Sequence, residues 1–407
     1  MRNTGVKNKL TDLQAVLACA TIISGTLLGI AGIDLVLPSV PFMPKIFNTT
    51  VATTQQVLSA FVAGTTLGLL LFGSLAEHFG RRRLFLISLV TYAFFSFLCI
   101  FSQDIWQLIG LRFLQGAAAT GAAVLAPGLI RGLFSEHGAM RAIGAMGSIE
   151  SLVPGLAPLV GAWLHKSYGW TASFTLTALL VGGLCLLVIV KPTLVPSVGV
   201  KKPSGKSTYK LLLKNKPFMR YGLSHALTVG GLLTFVFSAP AVIIETMNGT
   251  IDDFIFMQMV GVSTFIISAN ITSSLAKRFG TERMIMFGTW VCVISTAILV
   301  LYAVVGMNDP LHLVATFWVL NTGVGLRAGP GFVYALKAAE GDDDRASALM
   351  ILSITGIAAI ATALVAPFIQ VGLIALTVTT CLIVLAALVL MLSIKPLSTE
   401  VDKEQTE

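Results

Sequence analysis

About twelve runs of roughly 20 predominantly apolar residues follow one another along this chain, separated by short polar stretches. A helix of about 20 residues crosses the ~30 Å hydrocarbon core of a bilayer. The composition agrees with this pattern, because 55% of the 407 residues are hydrophobic and only 11% are charged. Soluble domains carry about 25% charged residues. The sequence therefore predicts an all-α membrane protein with twelve transmembrane helices and excludes a soluble globular domain.

The apolar runs fall into two groups of six around a polar stretch. Residues 191–217 are rich in Lys, Pro, Ser and Gly and are predicted to form a cytoplasmic linker. This linker separates an N-terminal six-helix bundle, 1–190, from a C-terminal six-helix bundle with a cytoplasmic tail, 218–407. The predicted helices are 13–36, 54–76, 84–102, 106–131, 141–164, 170–190, 218–245, 254–276, 284–305, 311–336, 347–369 and 372–394.

Basic residues are distributed unevenly over the predicted loops. If both termini are cytoplasmic, the 27 Lys and Arg residues lie in cytoplasmic segments, except for Lys45 and Lys166 outside and Arg112 and Arg327 within helices. An excess of Lys and Arg is typical of cytoplasmic loops in membrane proteins. The pattern predicts both termini inside. It also accounts for the net charge of +8 without a nucleic-acid partner.

The chain contains an internal repeat. The segment Leu75-Ala-Glu-His-Phe-Gly-Arg-Arg-Arg83 follows the second predicted helix. A similar segment, Leu275-Ala-Lys-Arg-Phe-Gly-Thr-Glu-Arg283, follows the eighth. Equivalent loops in equivalent places indicate two related six-helix bundles.

The first of these loops belongs to a longer motif. Gly73-Ser-Leu-Ala-Glu-His-Phe-Gly-Arg-Arg82 resembles the G-x-x-x-D-R-x-G-R-R loop signature of the major facilitator superfamily. Here Glu77 replaces the Asp of that signature, and a histidine replaces its first Arg. The resemblance implies a gating loop whose residues are Gly73, Glu77, Gly80, Arg81 and Arg82. A plain basic loop on the cytoplasmic side is the alternative.

Three further motifs carry the same resemblance. Leu111-Arg-Phe-Leu-Gln-Gly116 is similar to the L-R-x-x-Q-G motif of the fourth helix. Pro154-Gly-Leu-Ala-Pro-Leu-Val-Gly161 resembles the fifth-helix element of proton-driven antiporters. Asp34-Leu-Val-Leu-Pro-Ser-Val-Pro41 resembles a pattern of twelve-span drug/proton antiporters, especially the Bcr/CflA-type drug-resistance proteins. The antiporter-type positions are Pro154, Gly155, Pro158 and Gly161.

The resemblance implies the major facilitator fold, with two pseudo-symmetric six-helix bundles and alternating access around a central cavity. It also implies proton-coupled export of small molecules. The expected partners are a small-molecule substrate, protons and the lipid bilayer. We further expect a monomer in the bacterial inner (cytoplasmic) membrane, with no cofactor, metal or nucleic-acid partner.

Four charged residues, Asp34, Arg112, Glu150 and Arg327, are the clear cases of charge within predicted helices. Charge is costly there and marks a candidate functional site. Asp34 and Arg112 lie toward the outer leaflet and are expected to pair. Glu150 and Arg327 reach similar depths near the midplane, one in each half, and are predicted to pair across the cavity. We assign proton coupling to the two carboxylates and substrate binding to the two arginines. The alternatives are a water-exposed helix end for Asp34 and a purely structural pair for Glu150 and Arg327. If Glu150 points elsewhere, the anion beside Arg327 is instead the substrate itself, for instance a carboxylate.

Other polar or bulky residues within helices are candidates to line the cavity. Taken singly, each is better explained as a group that hydrogen-bonds or packs between helices than as a ligand contact. Four of them, Gln115, Gln258, Trp318 and Asn321, are assigned to substrate binding. The full set of candidates is Gln115, His225, Gln258, Asn270, Trp318 and Asn321.

Two transport functions and one function of another class remain open. The leading hypothesis is a proton-coupled exporter of drug-like or metabolite molecules. The alternative is a transporter of an organic anion, such as a carboxylate siderophore, an amino acid or a sugar derivative. A membrane-bound receptor or enzyme on the same scaffold is disfavoured, because the chain offers no large extramembrane domain and no nucleophile with a suitable base. We therefore expect no enzymatic activity.

Overall fold

The computed structural model of the chain describes residues 12–134, 142–143, 145–147, 149–150, 152–195, 209–306, 309–339 and 343–397. Twelve long helices run through these residues, which confirms the predicted all-α fold class. They are α1 Asp12–Asp34, α2 Val51–Phe79, α3 Arg81–Ile100, α4 Ile105–Arg131, α5 Val153–Tyr168, α6 Ala172–Val190, α7 Ser224–Thr246, α8 Ile251–Phe279, α9 Thr281–Val305, α10 Pro310–Ala338, α11 Asp343–Val365 and α12 Leu373–Ser393.

Several helices extend beyond their predicted ends. Helix α2 was predicted at 54–76 and α8 at 254–276, but each is three residues longer at both ends. Polar side chains stabilise the extra residues at the start of each helix. The Thr50 hydroxyl accepts a hydrogen bond from the Thr53 amide, and Thr250 forms a capping box with Asp253. Caps satisfy the free amides of a first turn. Apolar length alone therefore underestimates these helices.

Ten segments of the described chain are long and apolar enough to cross a membrane. Two long helices are outside this set. They are α5, which has 16 residues, and α10. Residues 142–143, 145–147 and 149–150 just before α5 are also helical, in line with the span predicted from residue 141. Residues 1–11, 196–208 of the predicted linker and 398–407 of the predicted tail lie outside the described residues.

The two repeated loops have the same backbone geometry. Gly80 joins α2 to α3 with φ 80° and ψ 140°, and Gly280 joins α8 to α9 with φ 89° and ψ 142°. Positive φ at these values favours glycine, which has no Cβ to clash. One glycine thus turns the chain between two long helices in each half.

Close packing within each bundle depends on residues without side chains. A methyl group built on Gly64 of α2 would lie 2.0 Å from the carbonyl oxygen of Phe113. One built on Gly116 of α4 would lie 2.1 Å from the carbonyl oxygen of Phe61. Helices in membranes approach closely at such small residues. The α2–α4 contact is therefore backbone to backbone, and it fixes the wall that these two helices present to the molecular centre.

The two halves meet at one end of the bundle, the end predicted to face outward. The short 3-10 helix Leu37–Phe42, which follows α1, packs against α7. A second 3-10 helix, Ala366–Val371, follows α11 and packs against α2. We call this end the predicted outer face. The halves thus lie together there, on either side of a central space.

Candidate functional site

A cavity of about 550 Å³ lies between the two halves. It is lined by α1, α2 and α4 of the first half, by α5, and by α7, α8, α10 and α11 of the second half. Most of the lining is aliphatic or aromatic, as in sites that hold drug-sized ligands. The polar residues of the lining are Thr26, Asp34, Thr65, Thr120, His225, Gln258, Asn321 and Thr355.

Asp34 is the last residue of α1 and lines the cavity. Its exposed fraction is 5%. Among the described residues its carboxylate has no hydrogen-bond or ion-pair partner, so the Asp34–Arg112 ion pair expected from the sequence is absent from this structure. Asp34 instead forms part of the cavity wall. It is available there to a proton or to a cationic group of a ligand.

Arg112 is fully buried inside the first bundle. Its Nη1 donates to the carbonyl oxygen of Gly32 at 3.0 Å and to Oε1 of Gln115 at 2.6 Å. The ring of Phe61 covers the guanidinium at 4.1 Å, and Phe61 itself lines the cavity. Arg112 and Gln115 are absent from the cavity lining. Both therefore lie behind the wall in this structure rather than at the substrate position predicted for them.

Glu150 and Arg327 do not pair in this structure either. The carboxyl of Glu150 lies close to the side chain of Thr26 in α1. Arg327 donates to the carbonyl oxygen and the hydroxyl of Ser224, both at 2.9 Å, and to the hydroxyl of Thr228. Each side chain instead lies against a neighbouring helix of its own half, Glu150 against α1 and Arg327 against α7. Glu150 nonetheless remains beside the cavity through its contact with Thr26.

Three of the remaining candidates, His225, Gln258 and Asn321, line the cavity. Gln258 lines it and donates from Nε2 to the carbonyl oxygen of Pro154 at 3.2 Å, across the two halves. Asn321 lines it and donates from Nδ2 to the carbonyl oxygen of Phe317 at 2.9 Å. Trp318 is 44% exposed and absent from the lining. It lies on the outside of the bundle, which counts against its assigned substrate contact.

The antiporter-type residues of α5 lie between the first and second halves. Pro154 lines the cavity, and a methyl group built on Gly155 would lie 2.9 Å from Cγ1 of Val262 in α8. One built on Gly161 would lie 2.2 Å from the carbonyl oxygen of Leu35, the residue after Asp34. Pro158 is buried within the helix. These residues bring α5 against the end of α1 on one side and α8 on the other.

The predicted gating loop is only partly described. Gly80 makes the turn already mentioned, and Arg81 packs on α4, where a methyl group built on Gly128 would lie 2.5 Å from Arg81 Nε. Arg82 is the second residue of α3, and its Nε is buried. Gly73 and the Glu77 side chain lie outside the residues whose side chains the structure describes. The gating role of the loop stays a prediction.

Besides the contact of Gln258 with Pro154, two further polar contacts join the halves among the described residues. Lys166 near the end of α5 forms an ion pair with Asp252 of α8 at the predicted outer face. Deeper in the molecule, the hydroxyl of Thr66 in α2 donates to that of Thr355 in α11 at 2.9 Å. Neither pair was predicted from the sequence. Hydroxyl and surface-charge pairs between distant segments leave no local pattern in the chain.

The sequence did hold a signal for one missed residue. Thr26 precedes Asp34 by eight positions, about two helical turns, so both lie on nearly the same side of α1. A search for polar residues on the side of α1 that carries Asp34 would have found it. Phe61 offers no such signal, since an aromatic residue in an apolar helix has many possible positions.

Comparison with known proteins agrees on one family. The family model described as Major Facilitator Superfamily matches residues 22–362. The chain is 25% identical to a bicyclomycin resistance protein homolog of Haemophilus influenzae over 75% of this chain and 76% of that protein. It is 26% identical to a chloramphenicol resistance protein of Pseudomonas aeruginosa over 73% and 71% of the two chains. The crystal structure of the POT family transporter PepTSo shares the fold, with a TM-score of 0.71 at 12% identity, covering 94% and 98% of the two chains.

Proposed function

Because the chain belongs to the major facilitator superfamily, we propose that it is a proton-coupled secondary transporter that exports drug-like or metabolite small molecules by alternating access. The observation that carries this proposal is the apolar cavity between the halves, with the unpaired carboxylate of Asp34 in its wall. A binding cavity of this kind suits an apolar molecule, and the carboxylate supplies a group that can exchange a proton for a cationic group.

The names of two relatives support the substrate class. Two proteins that match more than two thirds of this chain are named for resistance to bicyclomycin and to chloramphenicol. Both names refer to small organic antimicrobial molecules. A cavity of about 550 Å³ has the volume to hold a molecule of that size.

Asp34 and Glu150 are the groups proposed to carry the proton. Asp34 has no protein cation beside it among the described residues, so a proton or a substrate cation neutralises it. Glu150 reaches the same cavity through Thr26. A carboxylate is the natural group to bind a proton when the cavity faces one side of the membrane and release it when the cavity faces the other.

The motion proposed for transport is a rocking of the two halves about the cavity. The contacts of Lys166 with Asp252 and of residues 37–42 with α7 close the predicted outer face. Both must break for the cavity to open there. Helix α5 lies between the end of α1 and α8 and connects the neighbourhood of Asp34 to the second half.

The chain is a multi-pass integral membrane protein, and its finer placement is part of the proposal. We propose the bacterial inner membrane, both termini in the cytoplasm, a monomer, and no enzymatic activity. The proposed units are 1–190 and 218–407, joined by the linker 191–217. The distribution of Lys and Arg supports the orientation, and the equal turns at Gly80 and Gly280 support the division into halves.

A second candidate function is transport of an organic anion. The observation in its favour is Arg327, a fully buried cation that forms no ion pair with any carboxylate of the described residues. A substrate anion would complete such a site. Asp34 and Glu150 in and beside the same cavity favour the first candidate.

A transport assay tests the proposal. The purified full-length protein is reconstituted in proteoliposomes with an imposed pH gradient, and three probes are compared: ethidium, a cation; chloramphenicol, neutral; and benzoate, an organic anion. We expect gradient-driven movement of ethidium or chloramphenicol that stops when a protonophore removes the gradient. Movement of benzoate alone would favour the second candidate. Movement of the probes that is insensitive to the gradient would contradict proton coupling.

A further inference from the structure

Helix α5 contains a backbone carbonyl that has no donor within its own helix. In an α-helix the carbonyl oxygen of Pro154 accepts a hydrogen bond from the amide of residue 158. Residue 158 is a proline inside α5, and proline has no N–H to donate. A backbone acceptor away from bulk water needs a donor from elsewhere. The carbonyl of Pro154 is therefore open to a donor from another helix or from a ligand.

In this structure the donor comes from the other half of the molecule. Nε2 of Gln258 in α8 donates to the carbonyl oxygen of Pro154 at 3.2 Å. Among the described residues this is the one hydrogen bond of the Gln258 carboxamide, because its Oε1 is buried without a partner. A single hydrogen bond between neutral groups contributes little to stability. The carboxamide is therefore held weakly and can be replaced by a stronger donor.

Both partners of this hydrogen bond belong to the wall of the central cavity. Pro154 and Gln258 line the space of about 550 Å³ between the halves. Helices α5 and α8 approach closely beside them, since a methyl group built on Gly155 would lie 2.9 Å from Cγ1 of Val262. The volume that the Gln258 carboxamide occupies therefore adjoins the cavity. It shows directly that a nitrogen donor fits within hydrogen-bond distance of the Pro154 oxygen.

We propose that the carbonyl oxygen of Pro154 accepts a hydrogen bond from an N–H group of the transported molecule, which takes the place of the Gln258 carboxamide. A protonated amine is the donor favoured for this exchange, because its charge-assisted hydrogen bond is stronger than the neutral one that it replaces. The inference rests on the proposed transport function and deepens it by naming a feature of the substrate. The cavity distinguishes a cation that carries an N–H from one that does not.

The test compares two cations of the same charge and the same apolar body. Diphenhydramine is a tertiary amine that carries one N–H when protonated, and its quaternary N-methyl derivative carries none. Asp34 in the cavity wall attracts both by charge. Binding of each to the purified full-length protein is measured by calorimetry at neutral pH without a gradient. We expect the wild type to bind the tertiary amine at least about fivefold more tightly, since a charge-assisted hydrogen bond replaces a neutral one.

Two variants should change this affinity ratio in opposite directions. Pro158→Ala returns an amide N–H to α5 that satisfies the carbonyl of Pro154, so we expect the ratio to fall by about fivefold. Gln258→Ala removes the competing donor and leaves the carbonyl free, so the ratio should rise by about threefold. Pro330→Ala is the control, because it supplies an N–H to the carbonyl of Leu326, a residue absent from the cavity lining. Its ratio should equal that of the wild type.

Four results would overturn the site. They are equal binding of the two cations by the wild type, an unchanged ratio in Pro158→Ala, a lower ratio in Gln258→Ala, and no binding of either cation. A lower ratio in Gln258→Ala would mean that Gln258 itself contacts the ligand. A purely structural role of Pro158 or Gln258 would change the affinity for both cations alike and leave the ratio constant.

The proposed function is tested separately by the gradient-driven transport of ethidium and chloramphenicol. Such transport by the wild type would support the function even if the two diphenhydramine cations bind equally. The expected pattern of ratios in Pro158→Ala and Gln258→Ala, without any gradient-driven transport, would support the site and contradict the function.

Discussion

Lys166 in the last turn of α5 and Asp252 in the first turn of α8 form an ion pair of 2.7 Å that joins the two halves at the predicted outer face. The side chains are 52% and 68% exposed. An exposed pair of this kind contributes only about 0–1 kcal/mol. It is strong enough to bias a balanced equilibrium between two conformations and weak enough to break in each transport cycle.

We therefore expect Lys166→Ala to shift the halves toward opening at this face, by up to about fivefold in population, which is what ~1 kcal/mol allows. Spin labels at positions 48 and 248, in loops on that face, report the separation by pulsed electron resonance in a variant without native cysteines. The charge swap Lys166→Asp with Asp252→Lys should restore the wild-type distances. Lys45→Ala is the control, because Lys45 lies on the same face and forms no ion pair with the described residues. Equal distance distributions in Lys166→Ala and the wild type would show that the ion pair does not hold this face closed.

Asp34→Asn should abolish gradient-driven uptake into inverted proteoliposomes while leaving substrate exchange across the membrane without a gradient. The amide keeps the size and polarity of the side chain but no longer binds a proton, so coupling is lost and the motion is kept. We expect a drop of at least about tenfold in driven transport, in line with a functional charge inside the membrane. Glu245→Gln removes an exposed carboxylate at the end of α7 outside the cavity and should behave as the wild type. Undiminished driven transport by Asp34→Asn would refute the assignment.

Arg112→Lys separates a structural role from a substrate contact. The lysine amine cannot reproduce the fork that reaches Gly32 and Gln115 or the planar contact with Phe61. We expect a stability loss of about 1–3 kcal/mol from the buried hydrogen bonds, seen as a lower unfolding temperature in detergent. Substrate affinity per folded molecule should stay unchanged, since Phe61 stands between Arg112 and the cavity. Arg83→Lys, an exposed change at the start of α3, is the control. A lower affinity with unaltered stability would restore the substrate contact predicted from the sequence.

The fold could be predicted almost completely from the sequence. The twelve apolar runs, the polar stretch between them and the distribution of Lys and Arg are independent signals, and all three indicate the same arrangement of helices. The cavity-facing positions of Asp34, Gln258 and Asn321 were also predictable as polar groups in apolar helices. The partners of the buried charged residues were not predictable. Depth along a helix follows from counting residues, but the direction of a side chain depends on how the helix is rotated in the bundle. Arg112 and Arg327 both turn toward neighbouring helices of their own half, where backbone and hydroxyl oxygens replace the expected carboxylates.

Substitutions of two glycines in α5 should have effects whose relative size follows from contact distance alone. In Gly161→Ala the methyl would lie 2.2 Å from the carbonyl oxygen of Leu35. Backbone cannot yield as a side chain does, so α5 must move away from the end of α1 beside Asp34. In Gly155→Ala the methyl would lie 2.9 Å from a methyl of Val262, which can change rotamer. Gly182→Ala in α6 meets nothing within 4 Å and is the control.

We expect driven transport and unfolding temperature to fall most in Gly161→Ala, with a stability loss of about 1–3 kcal/mol typical of overpacking. Driven transport and unfolding temperature should fall less in Gly155→Ala. This substitution should act mainly on transport, since the strain lies at the contact between the halves and is relieved when they separate. Gly182→Ala should match the wild type or be slightly more stable, because alanine favours the helix over glycine. Equal behaviour of Gly161→Ala and Gly182→Ala would mean that the contact of α5 with the end of α1 is not close in the working protein. The role of α5 in linking Asp34 to the second half would then be wrong.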